Sequence, residues 1–137
     1  MAVTLIRVDA ASLTRTLKNA ETKATRNLER SVNRAALLIE TAIKGKASGR
    51  PGPRAPTGNY RRSINTRKVR GTSGRAVAFS VGTTAVQGRR LEFGFMNMTD
   101  ALGRTFQQPP YPHFGPGFEE ARPKALELIR REVNPFA

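Results

Sequence analysis

One uninterrupted series of apolar residues with helical spacing constrains the fold of this chain more than any other feature. Nine apolar residues recur every three or four positions from Leu13 to Ala42, and no proline or glycine interrupts them before Gly45. Their mean spacing is that of an α-helical turn, about 3.6 residues. The pattern predicts one long helix, and either Asp9 or Ser12 can cap its start.

The predicted helix is too long for a domain of this size. About 33 helical residues extend over ~50 Å, whereas a compact globule of this chain length has a diameter of roughly 37 Å. The helix must therefore bend, or extend beyond its own domain and pack on a neighbouring subunit. Four of the nine apolar residues are alanines, whose small side chains let another element approach closely.

The rest of the chain predicts short strands and a second helix, which Pro116 opens and which continues to Val133. Pro123 lies inside this span, so it should kink the helix or mark its true first turn. We expect an α+β fold with a long N-terminal helix, a small antiparallel β-sheet and a C-terminal helix, the helices lying on one side. Strands are predicted at residues 3–8, 60–69 and 75–82, with a hairpin connection at 70–74 and a helical turn or strand at 88–94.

We expect the chain to form a single domain over residues 1–137. Two of its stretches show no regular pattern of apolar residues. Residues 45–58 hold four glycines and three prolines and are predicted to be a flexible basic loop. Residues 95–112 are too long for an ordinary connection and are predicted to be an irregular interface loop. No apolar run approaches the ~20 residues of a membrane span, and no signal peptide is visible. We expect a soluble protein without a membrane partner.

Positive charge is concentrated in one part of the chain. The net charge is +14, and residues 45–75, which we call the basic segment, hold nine basic residues and no acid. A solvated basic surface is the simpler interpretation, but no acid occurs between Glu40 and Glu92, and such a run has the charge pattern of phosphate binding. The candidate contacts to DNA or to an acidic partner are Arg50, Arg54, Arg61, Arg62, Arg67, Lys68 and Arg70.

The sequence offers little for catalysis or cofactor binding. There is no cysteine, which excludes disulfides, thiolate zinc sites and thiol nucleophiles. The single histidine, His113, lies between a proline and an aromatic residue, which is typical of packing or of a surface position. The acids show no metal-ligand spacing. We predict no enzymatic activity, no metal and no cofactor, although a polar pocket around His113 and Glu92 would revive the enzyme alternative.

Sequence-specific nucleic-acid recognition is also disfavoured. Tyr60 is the only base-stacking aromatic residue within residues 45–75, and no helix-turn-helix, zinc-finger or ribonucleoprotein motif is present. Any contact with DNA would therefore depend on charge alone. A stand-alone, non-specific nucleic-acid-binding protein that acts through a basic surface is the alternative function.

Five short motifs follow the long helix in a fixed order: Ala55-Pro-Thr-Gly58, Tyr60-Arg-Arg-Ser-Ile64, Val77–Gly82, Leu91-Glu-Phe-Gly94 and Pro110-Tyr-Pro-His-Phe114. The last of them leads into the helix that contains Pro116. In their order and spacing these motifs resemble the tail-completion or head–tail joining (neck) proteins of long-tailed bacteriophages. The resemblance covers about residues 10–133.

The resemblance implies a structural virion protein, assembled in the host bacterial cytoplasm, that forms a homo-oligomeric and usually six-fold ring at the phage neck. The ring would join the head connector to the tail, contact other neck and tail proteins, and surround double-stranded DNA without reading its sequence. The basic segment would line the channel, and the long helix would pack on the next subunit. The residues expected to contact a neighbouring ring or protein are Phe95, Met96, Met98, Phe106 and Tyr111.

Overall fold

The structure, a computed structural model, describes residues 9–70 and 76–133. It confirms the α+β fold class, with the strands in two separate antiparallel pairs, β1–β2 and β3–β4. The strand predicted at residues 3–8 and most of the hairpin connection at 70–74 lie outside the described residues. The elements are α1 (Ala10–Lys46), α2 (Asn59–Ser63), β1 (Asn65–Lys68), β2 (Phe79–Gly82), α3 (Gln87–Phe93), β3 (Phe95–Thr99), β4 (Thr105–Gln108) and α4 (Phe114–Val133).

Helix α1 is the long helix that the apolar spacing predicts, and it extends further at both ends. Asp9 caps its start, because the Asp9 Oδ1 atom accepts the Ala11 backbone N–H at 3.1 Å. The helix has 37 residues, so it is ~55 Å long. It ends where the glycine- and proline-rich segment begins, with Lys44 and Lys46 in a last turn that favours positive charge.

Helix α4 runs antiparallel along the C-terminal half of α1. Lys46 pairs with Glu120 at 2.5 Å near one end, and Arg34 pairs with Glu132 near the other. The buried residues of both helices in this contact are mostly small: Ser31, Ala35 and Ala36 on α1, and Gly117, Ala121 and Ala125 on α4. The alanines of α1 thus permit close approach, as predicted, and the element that approaches them within the chain is α4.

The first turn of α4 approaches α1 closely at Gly117. A methyl group on Gly117 would lie 2.7 Å from the Ile43 Cα atom, nearer than real side-chain carbons approach a backbone. Because α4 begins at Phe114, Pro116 lies in its first turn. The alternative that Pro123 marks the first turn is wrong, since nine residues of the helix precede it.

The β1–β2 pair packs on α1. In the antiparallel register, Thr66 lies opposite Val81 and Arg67 lies opposite Ser80. The strand predicted at residues 60–69 is shorter than expected, because its first part forms α2. Gly58 begins that turn with a φ of 72°, and its carbonyl accepts the Arg62 N–H at 3.0 Å. Of the described residues 76–82 in the second predicted strand, Phe79–Gly82 form β2.

The region predicted as an irregular loop at 95–112 is instead a β-hairpin followed by a short connection. Strands β3 and β4 pair antiparallel, with a β-bulge between Phe95 and Met98. Within the bulge Asn97 has a φ of 55°, a left-handed conformation that asparagine tolerates better than most residues. The Asp100 Oδ1 atom stabilises the turn by accepting the backbone N–H groups of Leu102 and Arg104, each at 2.9 Å.

The glycine- and proline-rich segment packs against the end of α1. Its first two residues belong to α1, and residues 47–58 form neither helix nor strand. Gly52 and Pro53 are buried, and a methyl group on Gly52 would lie 1.9 Å from the Lys46 carbonyl oxygen. The main core lies next to this segment. It contains Ile43, Ala47, Tyr60 and Ile64, with Ile39, Val81, Ala85, Leu91 and Phe114 packed around them.

Candidate functional site

The seven predicted contact residues all have exposed side chains. They come from three neighbouring parts of the chain. Arg50 and Arg54 lie in the segment after α1, Arg61 and Arg62 lie on α2, and Arg67, Lys68 and Arg70 lie on or just after β1.

Three of these cations already have partners within the chain. Lys68 lies on the same face of β1 as Thr66, and its Nζ atom pairs with Glu29 of α1 at 2.7 Å. Arg62 donates to the Asn59 Oδ1 atom at 2.5 Å. The Arg50 guanidinium stacks on the Tyr111 ring, 3.7 Å from its centroid. The Arg50–Tyr111 contact joins a predicted DNA-contact residue to a predicted interface residue, which no local pattern indicated.

The other four arginines form no ion pair with any acid in residues 9–70 and 76–133; they are Arg54, Arg61, Arg67 and Arg70. Because side chains alternate along a strand, Arg67 lies on the face of β1 opposite to Lys68. On that face it lines a shallow pocket of about 190 Å³ together with Ser80 and Thr83. A guanidinium beside two hydroxyl groups is suited to a phosphate oxygen.

Most of the acids of the chain are already paired internally. Five of the ten form a salt bridge with a lysine or arginine, Asp9 caps α1, and Glu92 accepts backbone N–H groups at the start of α4. Among the described residues, the acids with neither an ion pair nor a capping role are Glu21, Glu119 and Glu127. Another copy of this chain therefore offers few acids to neutralise the basic segment.

Glu40 shows how strongly an acid can be held within the fold. Burial raises the pKa of the Glu40 carboxyl group, but hydrogen bonds from Lys44 and Thr66 outweigh that effect and leave the pKa below its usual value. The Lys44 Nζ atom and the Thr66 hydroxyl both donate to this carboxylate at 2.6 Å. The interaction ties β1 to α1 and removes a negative charge from the surface next to the basic segment.

The only histidine takes part in a buried polar cluster with Tyr60 and Glu92. The His113 Nδ1 atom lies 2.9 Å from the Tyr111 carbonyl oxygen, which can only accept, so Nδ1 carries a proton. The Nε2 atom of the neutral ring then accepts the Tyr60 hydroxyl at 2.6 Å. Burial, with a smaller effect from the Glu92 charge, raises the pKa of Tyr60 to about 12.

Glu92 caps the start of α4. Its carboxylate accepts the backbone N–H groups of His113, Phe114 and Gly115 at 2.8, 3.0 and 3.0 Å. Burial raises the Glu92 pKa, but these three bonds outweigh it, so the pKa lies below its usual value. His113 is fully buried, so a substrate would have no access to its imidazole. The polar arrangement around His113 and Glu92 therefore supports the fold rather than catalysis.

The β3–β4 hairpin carries four of the five predicted interface residues, and Tyr111 follows it. Met96 is 78% exposed and Phe106 is 44% exposed, whereas Phe95, Met98 and Tyr111 are half-buried. Two further apolar residues are exposed here, Phe93 at 74% and Leu102 at 77%. Leu102 lies within the stretch 95–108 that was expected to contact a neighbouring ring, whereas Phe93 was expected to support the fold. We call Phe93, Met96, Leu102 and Phe106 the hairpin surface.

A groove of about 380 Å³ lies at the base of the hairpin. Its walls include Phe93, Met96 and Pro109, together with Gln108. The Nε2 atom of Gln108 is buried and has no hydrogen-bond partner among the described residues. An unpaired buried amide costs free energy.

Two general findings concern other kinds of site. Of the helices in the described ranges, none has the length and apolar character that a membrane span requires. Within the same residues, no group of three histidine, aspartate or glutamate side chains is arranged to hold a metal ion.

Comparison with known proteins assigns the chain to a family. The family model described as "Bacteriophage HK97-gp10, putative tail-component" matches residues 11–94, which is more than half of the chain, from the first turn of α1 to the end of α3. No curated protein and no solved structure matches the chain. The match supports the resemblance to neck and tail-completion proteins that the sequence motifs indicate. The chain belongs to the HK97-gp10-like family of structural tail components of bacteriophages.

Proposed function

We propose that this protein forms a closed, six-fold ring at the phage neck, which joins the head connector to the tail and surrounds double-stranded DNA. The ring would be assembled in the host cytoplasm and become part of the virion. The observation that carries this proposal is an imbalance of charge. Within the described residues, six arginines of the basic segment have no acid partner, while most acids of the chain already pair with a cation or cap a helix.

The shape of α1 supports assembly with further copies. Its contact with α4 is confined to the C-terminal half, and every residue from 9 to 24 is exposed. This α1 extension, residues 10–24, is ~22 Å long. It presents Leu13 and Leu17, which are 49% and 61% exposed. An apolar helix face of this kind gains free energy when a neighbour covers it.

The basic segment supports contact with the DNA backbone. DNA carries about one charge per 1.7 Å of axis, and a ring concentrates the free cations of all its copies around one axis. Arg54, Arg61, Arg67 and Arg70 are the best placed residues, because Lys68 is already paired with Glu29. Such contacts carry no sequence information, which suits a channel through which a whole genome passes.

The hairpin surface supports contact with an adjacent ring. Phe93, Met96 and Leu102 are each more than 70% exposed, and exposed apolar patches of this kind mark protein interaction sites. The groove beside them adds apolar surface at Phe93, Met96 and Pro109. A neighbouring neck or tail protein that inserts apolar side chains would fill this groove.

Electron microscopy of the assembled particle tests the proposal. We expect a ring of cyclic symmetry at the neck, with the basic segment turned toward the DNA and the hairpin surface turned toward an adjacent ring. A monomer within the particle, with its arginines facing bulk water, would overturn the proposal.

The alternative, a stand-alone non-specific nucleic-acid-binding protein, is favoured by the same unpaired arginines. The two functions differ in the state that binds DNA. The alternative predicts tight binding by the isolated monomer, with an affinity that falls steeply as salt rises, by a slope of about −0.9 per phosphate contacted. The ring proposal predicts weak binding by the monomer and stronger binding by the oligomer, which can be measured on fractions separated by size.

A further inference from the structure

We infer that the α1 extension of one copy packs on the outer face of α4 of the next copy, with Glu21 paired to Arg122 across the interface. The inference rests on the proposed ring and identifies the surface that receives the long helix. By the α4 outer face we mean Phe118, Arg122, Leu126 and Val133.

The α1 extension has one apolar face, and that face bears an acid. At 100° per residue, Leu13, Leu17, Ala20 and Ala24 share one side of the helix, and Glu21, one turn from Leu17, lies at the edge of that side. The cations of the extension and of the following turn point in other directions; they are Arg15, Lys18, Lys23 and Arg26. Glu21 has no ion pair among the described residues, so the surface that covers this face should be apolar and bear a cation.

The α4 outer face meets both requirements. The inner face of α4, at Gly117, Ala121 and Ala125, is buried, and the outer face is not. Phe118, Leu126 and Val133 are between 40% and 43% exposed. Along α4, Arg122 lies midway between Phe118 and Leu126. In the described part of the chain Arg122, like Glu21, has no ion-pair partner.

The two faces match in spacing when the helices run antiparallel. If Glu21 lies opposite Arg122, then Leu17 lies opposite Leu126, because Leu17 precedes Glu21 by four residues and Leu126 follows Arg122 by four. In the other direction, the small side chain of Ala24 comes next to the large ring of Phe118. This register places apolar groups against apolar groups and the one acid against the one cation.

The receiving helix must belong to another copy. Within one chain, α4 covers α1 from about Ser31 to Lys46, so the extension projects beyond its own α4. A contact in which the extension of each copy meets α4 of the next uses two different surfaces. Such a head-to-tail interface closes into a ring when the rotation between copies is a simple fraction of a turn.

Introduced cysteines provide a direct test, because the chain has none of its own. Mild oxidation of the double variant Leu17→Cys, Leu126→Cys should give a ladder of covalent multimers that ends at the copy number of the ring. The matched control Lys23→Cys, Leu126→Cys places one thiol off the apolar face and should give at least about tenfold less product, because its thiols are too far apart to bridge. A covalent dimer from Leu17→Cys alone would mean that two extensions pair with each other, and would overturn the inference.

Charge reversal provides a second test that does not depend on thiols. Glu21→Lys and Arg122→Glu should each weaken assembly about tenfold, since like charges then meet at the interface. The double variant should recover to within about threefold of the original protein. Lys23→Glu should leave assembly unchanged, and circular dichroism should show the same helical content in every variant. Failure of the double variant to recover would contradict the pairing.

These outcomes separate the inference from the ring proposal. A closed ring, seen by mass measurement, in which Leu17→Cys, Leu126→Cys gives no ladder would overturn the inference and leave the ring intact. A monomer within the native particle would overturn both.

Discussion

The Glu92 Oε2 atom accepts the backbone N–H of His113 at 2.8 Å, and this bond joins two sequence motifs that lie 21 residues apart. The first N–H groups of a helix have no partner within the helix, and here a carboxylate from α3 supplies one for three of them. Pro116, the next residue in the turn, has no N–H to satisfy. The Glu-Phe-Gly and Pro-His-Phe-Gly-Pro motifs therefore work together as a helix cap assembled from two elements.

The first prediction concerns this cap. Glu92→Gln should lower the free energy of unfolding by about 1–2 kcal/mol at neutral pH, because it removes a charge-assisted cap from three N–H groups.

The Glu92 pKa is below its usual value in the folded protein, so the carboxylate stabilises the fold above the pKa of an unfolded glutamate, about 4.3. This stabilisation disappears as the pH falls through the lower folded pKa. Urea unfolding at several pH values should show the gap between the two proteins narrowing below about pH 4; a gap independent of pH would contradict the role of the charge.

The second prediction concerns the contact between α1 and α4. Gly117→Ala places a methyl group 2.7 Å from the Ile43 Cα atom and 2.8 Å from its Cγ1 atom. The helices would have to move apart, at a cost of about 1–3 kcal/mol. In the matched variant Gly115→Ala, the nearest atom to the new methyl group is Glu92 Oε1 at 3.5 Å, so this change should be neutral or slightly stabilising. Thermal unfolding of both variants makes the comparison, and equal melting temperatures would show that the close approach is unimportant.

The third prediction concerns the buried hydroxyl of Tyr60. Tyr60→Phe leaves the His113 Nε2 atom buried without its donor, which should cost about 1–3 kcal/mol of unfolding free energy. The Tyr60 pKa is raised to about 12 in the folded protein. The unfolded chain, in which a tyrosine ionises near pH ~10, is therefore favoured progressively as the pH rises from about 10 toward 12. Denaturant unfolding across this range should show a steeper loss of stability for the original protein than for Tyr60→Phe.

Local pattern predicted the helices well because their signals are local. The spacing from Leu13 to Ala42 was sufficient for α1, and Pro116 marked the first turn of α4. The residue pattern did not predict the β3–β4 hairpin, because the bulge at Asn97 interrupts the alternation of apolar and polar residues that identifies a strand. The strand predicted at 60–69 is shortened because Tyr60 is buried in the core and its neighbours form α2.

The same difference between local and long-range information applies to the candidate site. Composition alone located the basic segment between residues 45 and 75, because charge content does not depend on the fold. Composition could not show which cations remain unpaired, since Lys68 meets Glu29 across 39 positions of the chain. Nor could it show that Arg50 stacks on Tyr111. Those distinctions depend on long-range packing, and they determine which residues are worth mutating.

The last prediction uses two neighbours in β1 to test the assignment of DNA contacts. Arg67 has no ion-pair partner in the described residues, whereas Lys68 is held by Glu29 on the opposite face of the strand. Arg67→Ala should therefore weaken DNA binding by the oligomer and reduce the slope of log affinity against log salt by about 1 for each phosphate that the variant no longer neutralises. Lys68→Ala removes the same charge and should change the slope much less. Fluorescence anisotropy with a short duplex at several salt concentrations measures both. An equal change of the salt slope in the two variants would mean that the overall net charge of the protein attracts DNA. The β1 face that bears Arg67 would then not contact the DNA.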